Sequence, residues 1–210
     1  MTRPPTRCES RFRAAAPSQL YEVVWRYLNT LYPAEFRKVM NGYSVEAART
    51  LLPHQRRARM ESDLPNLMFE LGLKITVEQF PNTTDTFILI HLTDQVKLIV
   101  CYANNKTQAV RYAKARADLT AESNQPYLIP PTDERTVLTP ETLFAILAHS
   151  AAENDMGRFG SAVFQFPPPD GIANLGELKL SDEMERAQRQ AAEEASLEER
   201  VVEIKIKKGG

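Results

Sequence analysis

Leu73, Ile75 and Val77 alternate with Lys74, Thr76 and Glu78, the two-residue period of a strand with one apolar face. Phe87, Ile88, Leu89 and Ile90, and then Leu98, Ile99, Val100 and Cys101, are apolar on both faces and rich in β-branched residues, the pattern of strands covered on two sides. The chain therefore predicts strands near 73–80, 86–92 and 95–103 at the centre of an at least partly antiparallel sheet. Upstream the period lengthens. Leu20, Val23, Val24, Tyr27, Leu28 and Leu31 form a helical stripe with Ser18 as its N-cap and Pro33 as its stop. A short helix over 34–41 should end at Gly42. Ser44 should cap another that Pro53 interrupts, and Leu64, Leu67, Met68 and Leu71 mark one more between Asp63 and Gly72.

Downstream, 106–121 reads as a helix with a small apolar face of Ala109, Val110, Ala113 and Ala117. A short strand at 127–129 is cut off by Pro130. Thr139, Pro140 and Glu141 have the cap, N1 proline and first-turn acid of a helix start, which predicts a helix to about 152 with Leu143, Ile146 and Leu147 buried. A loop over 154–160 and a strand over 162–166 follow, stopped by Pro167, Pro168 and Pro169. Ser181 should cap a charge-dense helix to about 199 whose inward positions are Met184, Ala187, Ala191 and Ala195. Val202, Ile204 and Ile206 then alternate with Glu203, Lys205 and Lys207, a terminal strand in need of a sheet edge. The expected fold class is α+β: a single domain with a helical N-terminal third, the central sheet, flanking helices and a C-terminal helix-strand extension. In segments, 1–17 is expected as a disordered basic arm, 18–175 as the core and 176–210 as an interaction or assembly extension.

Composition narrows the function classes. A formal net charge of −1 is too small to point to nucleic acid or a membrane by itself, so electrostatic function must lie in local patches. No apolar run has the length of a membrane span or a secretory signal, so no membrane partner is expected. The two cysteines, Cys8 and Cys101, do not make a disulfide framework and suit a reducing, cytoplasmic setting. His54, His91 and His149 are far apart and have no ligand-type neighbour at helical spacing. No phosphate-binding glycine loop or dinucleotide fingerprint occurs, and no cofactor is expected.

Two windows are basic and free of acids. One contains Arg49, Arg56, Arg57 and Arg59, the other Lys106, Arg111, Lys114 and Arg116. Arg111 and Lys114 share a helix face and would suit spaced phosphates, with Tyr112 between them to stack on a base. The competing reading is a solvated face with Lys114 paired to Asp118. The first functional expectation is thus a non-catalytic binding or regulatory protein contacting nucleic acid through Arg111, Lys114 and Arg116, with Arg56, Arg57 and Arg59 as a second patch. The alternative is a protein-assembly module, a homo-oligomer or partner-binding chain using 181–207, where a weakly apolar helix and a free strand could complete themselves against another chain.

A third class is enzymatic. Within the central block, Asp85 and Lys97 are ruled out as a shared site: a tight turn at Thr93 and Asp94 places Lys97 opposite Ile90, roughly 17 Å along the ladder from Asp85. Further on, Asp170 is followed by Glu177, Leu178 and Lys179, and a turn at Ala173 and Asn174 would set Asp170 opposite Glu177. The order of elements around them, over some 70 residues, resembles the core of the restriction-endonuclease-like, PD-(D/E)XK nucleases with one strand missing. That resemblance implies that Asp170 and Glu177 would hold Mg²⁺ while Lys179 assists the attacking water. An acid-x-Lys triplet is expected about once by chance in a chain of this composition.

Overall fold

The computed structural model describes residues 5–79, 86–103, 142–167 and 175–208. In chain order these form α1 (Arg7–Ala15), α2 (Gln19–Met40), α3 (Val45–Glu70), β1 (Lys74–Gln79), β2 (Thr86–Thr93), β3 (Val96–Tyr102), β4 (Leu143–Ala152), β5 (Asp155–Gln165), β6 (Glu177–Lys179) and α4 (Leu180–Lys208). The six strands make one sheet in sequence order. All neighbours are antiparallel except β3 and β4, which run parallel from Val96 opposite Leu143 to Tyr102 opposite His149. The expected α+β domain with a helical front and a partly antiparallel sheet is what forms. The segments expected at 106–121 and 127–129 lie outside the described residues.

One core fills the space between the helices and one sheet face. Leu98, Leu143, Ala145, Leu147, Phe164 and Phe166 supply the sheet side, against Phe12, Leu20, Leu28, Met60 and Met68. On the opposite sheet face Leu89, Ile99, Phe144 and Ile146 form a second buried cluster. The central strands are therefore covered on both sides, as their unbroken apolar runs require.

Several expectations at element boundaries are corrected. α2 runs through Pro33, and α3 through both Pro53 and Pro65. Each proline costs a helix interior about 3 kcal/mol, but in α3 the buried residues Ala48, Leu52, Arg56, Met60, Leu64 and Met68 recur every four positions across both prolines. Packing along that line offsets the local cost. Ser44 does cap α3, accepting from the Ala47 N–H at 3.3 Å, whereas Ser18 makes no such bond. α3 ends in a Schellman motif: Gly72 has φ 71, the Leu73 N–H reaches the Met68 carbonyl and the Gly72 N–H the Phe69 carbonyl. Its left-handed residue turns the chain into β1.

The expected helix to 152 is strand β4. Its alanines and its i, i+3, i+4 leucines and isoleucine suit a helix, but every residue from Leu143 to Ala151 is buried, and a segment apolar on both faces carries no periodicity that separates the two states. The expected loop over 154–160 belongs to β5. It accommodates two register shifts in β4, and a Cβ on Gly160 would stand 2.5 Å from the Ala151 carbonyl oxygen. The turn between β2 and β3 is at Asp94 and Gln95, which pairs Lys97 with His91 rather than Ile90. The terminal strand at 202–206 is absent, because α4 continues to Lys208. Once a helix is nucleated by packed early turns, β-branched residues cost it only tenths of a kcal/mol each.

The basic arm is corrected most. Residues 7–15 form α1, opened by a capping box in which the Thr6 hydroxyl accepts from the Glu9 N–H and the Glu9 carboxylate from the Thr6 N–H. Phe12 is fully buried, 4.8 Å from the Phe164 ring and 5.4 Å from that of Phe166. Glu9 also accepts from the Glu177 N–H at 3.0 Å, and Gly176 allows the approach: a Cβ there would lie 2.5 Å from the Thr6 hydroxyl oxygen. Phe12→Ala should therefore destabilise the chain by about 3–5 kcal/mol in urea unfolding. A loss under about 1 kcal/mol, the range of a surface change, would return this segment to the status of a dispensable arm.

Candidate functional site

The arginines singled out on α3 do not form a common cationic face. Arg56 is 2% exposed; its guanidinium sits 3.9 Å above the Tyr32 ring and donates to the Met156 carbonyl. Arg57 is paired with Glu61 at 2.7 Å and Arg59 with Asp63 at 2.8 Å. Glu61 and Asp63 lie just beyond the acid-free window, each four residues after its arginine, a spacing the sequence shows once the window is extended by one turn. Arg111, Lys114 and Arg116 lie outside the described residues.

Asp170 also lies outside them, but its expected partner is placed. Glu177 stands opposite Gln165 and Lys179 opposite Val163, so the hairpin register differs from the one that would set Asp170 against Glu177. Glu177 and Lys179 share one exposed face of β6, beside a cleft of about 450 Å³ that Arg13, Asp182 and Glu183 also line. Glu183, the buried carboxylate there, is engaged: Arg13 donates to it through Nε at 2.9 Å and Nη2 at 2.5 Å, and Arg186 through Nε at 3.1 Å. Among the described residues no group of three His, Cys, Asp or Glu side chains could hold a metal ion.

The most strongly perturbed groups sit under α2. Tyr32 and His149 share a hydrogen bond of 2.8 Å between the hydroxyl and Nδ1, and the Tyr102 ring stands edge-on to the imidazole at 5.9 Å. Burial, assisted by the Arg56 charge, pushes His149 down to about 3. Burial also pushes the Tyr32 phenol up and the Arg56 guanidinium down. Arg56 Nε has no hydrogen-bond partner among the described residues. This cluster joins α2, α3 and the parallel strand pair.

α4 has two halves with different surroundings. Leu180 and Glu183 are buried, and Met184 and Ala187 pack on the core, so the first two turns are fixed, with Arg13 and Arg186 holding Glu183. From 188 to 197 every residue is exposed, Leu197 at 60%. The helix nevertheless continues to Lys208, so the length from 188 onward is about 30 Å at 1.5 Å per residue. Residues 188–197 therefore have no intramolecular cover among the described residues, and they carry the exposed Leu197. Among the described residues no helix is long and apolar enough to cross a membrane.

His149 makes a pH test of the buried cluster. Its folded value lies below its ordinary one, so the neutral form contributes stability that is complete above about pH 6.5 and is lost as the unfolded chain takes up a proton that the folded chain refuses. Between pH 6 and pH 4 unfolding free energy should fall by about 1.4 kcal/mol per unit more steeply than in His149→Asn. Equal slopes would show that the imidazole is solvated.

No family model matches this chain, and neither the curated proteins nor the solved structures compared with it include a match.

Proposed function

We propose that the chain is a non-catalytic assembly module whose docking element is the free half of α4, which pairs with the same helix of a second copy. The observation that carries this is the run of ten consecutive exposed residues, 188–197, on a helix that continues for three more turns. A single helix of this length is marginal in water without packing, and its apolar residues Leu197, Val201 and Ile204 recur at the four- and three-residue spacing of a helix-helix seam.

Charge favours an antiparallel pair. Glu193, Glu194, Glu198 and Glu199 precede Arg200, Lys205, Lys207 and Lys208, with Glu203 the one acid among the latter, so a net acidic stretch is followed by a net basic one. Two such helices running in opposite directions about Val201 set each acidic stretch against the other's basic end, whereas a parallel pair aligns like with like.

Sedimentation of the full chain and of a version ending at Gln190 tests this, since the shorter chain keeps every residue of α4 that is buried or half-buried among the described residues. The full chain should be a dimer or larger and the shorter one should lose that contact. An oligomeric state that does not change on truncation, or a full chain that stays monomeric, removes α4 as the docking element.

A further inference from the structure

β1 is an edge strand with a pattern that α4 does not explain. It pairs with β2 alone among the described residues, from Lys74 opposite His91 to Gln79 opposite Thr86. An edge of this kind presents a row of backbone N–H and C=O groups to any strand that can match it. Natural edges are commonly blunted by prolines, bulges or one sign of charge. β1 has no proline, its ladder with β2 has no register shift, and Val77 is 65% exposed.

The side chains of β1 read the same way in both directions. About Thr76, Lys74 is mirrored by Glu78 and Ile75 by Val77. We propose that this edge pairs antiparallel with β1 of a second copy, about a two-fold axis at Thr76. In that register Thr76 faces Thr76, each Ile75 lies opposite a Val77, and each Lys74 lies opposite a Glu78. Directly opposed residues of an antiparallel pair share a sheet face, so the charged pairs fall on one face and the apolar pairs on the other. A shift of two residues in either direction loses both charge pairs.

The surroundings of Lys74 and Glu78 add to the argument. Lys74, His91 and Lys97 stand in one row across β1, β2 and β3, a cationic line that depresses His91 after burial has done so. No described carboxylate forms an ion pair with Lys74; the second copy's Glu78 would terminate that row. Among the described residues Glu78 accepts a long bond, 3.3 Å, from the Thr76 hydroxyl. Because the axis is perpendicular to the sheet, both sets of helices lie on the same face of the joined sheet. The isologous contact is closed at two copies.

The test uses the full chain. Opposed Cα atoms on the axis are about 4.5–5.5 Å apart, inside the range a disulfide spans. Under a mild oxidant Thr76→Cys should give a covalent dimer that the unsubstituted chain does not. Adding Lys74→Glu places like charges opposite each other twice and should slow that dimer by about tenfold. Adding Glu78→Lys as well restores opposite charges and should restore the rate. Within one strand these two positions are four residues, about 13 Å, apart, so restoration reports a contact between copies. No covalent dimer, or one whose rate ignores the charges, overturns the proposal; thermal melts of each variant confirm that it is folded. Sedimentation with native cysteines repeats the comparison, and Lys74→Glu should weaken association where the double reversal does not. The truncation at Gln190 reads α4 and the residue 76 crosslink reads β1, so either contact can fail without the other.

Discussion

The parallel ladder between β3 and β4 is the constraint on which the rest of the molecule depends. Strands β1 to β3 and β4 to β6 are each three-stranded antiparallel meanders. Seven rungs from Val96 and Leu143 to Tyr102 and His149 merge them into one sheet, with β4 buried on both faces. Its odd-numbered residues meet the helices while Phe144 and Ile146 lie on the far side. The last rung sets the Tyr102 ring against His149, and it is there that Tyr32 and Arg56 converge. The cluster stands at the junction of α2, α3 and the ladder and joins these elements.

What the sequence revealed depended on whether a segment was amphipathic. β1 alternates, α2 carries one stripe, and Gly72 marks the end of α3 by its left-handed backbone; all three are legible from spacing. β4 is not, because a strand buried on two faces and rich in alanine matches a helix pattern equally well. Pro33 and Pro53, expected as stops, lie inside helices for a different reason: their cost is local, and the packing that offsets it is contributed by residues distant in sequence. α1 had a visible signal in Thr6 and Glu9, the capping-box spacing, together with Cys8 and Phe12 four apart on one face. Four arginines around it made the segment look solvated. The α3 arginines show the converse limit, since composition cannot distinguish a buried guanidinium such as Arg56 from a surface one.

The surfaces that remain are at opposite margins of the sheet. β1 ends it on one side, and on the other β6 leads without interruption into α4. The candidate docking elements therefore do not compete for space, and both were legible only as unpartnered periodicity: an alternation with a free edge, and an alanine-rich helix with little to bury. For α4 the sequence overstated the terminal β-branched run as a strand. The helix keeps its hydrogen bonds internal, so this stretch offers no backbone edge for strand addition.

The contacts of α1 impose an order on folding. Glu9 reaches the Glu177 backbone and Arg13 reaches Glu183 across 168 and 170 residues, so α1 leaves the ribosome well before the elements that anchor it. Until β6 and α4 emerge, Phe12 can cover the sheet only without those anchors, and the segment that looks like a tail must wait unsupported. Loop closure over such a span carries a large entropic cost and places this step late. α1 acts as a latch that shuts only once β6 and α4 have been made, and a chain stalled before residue 177 would expose the aromatic face that the latch covers.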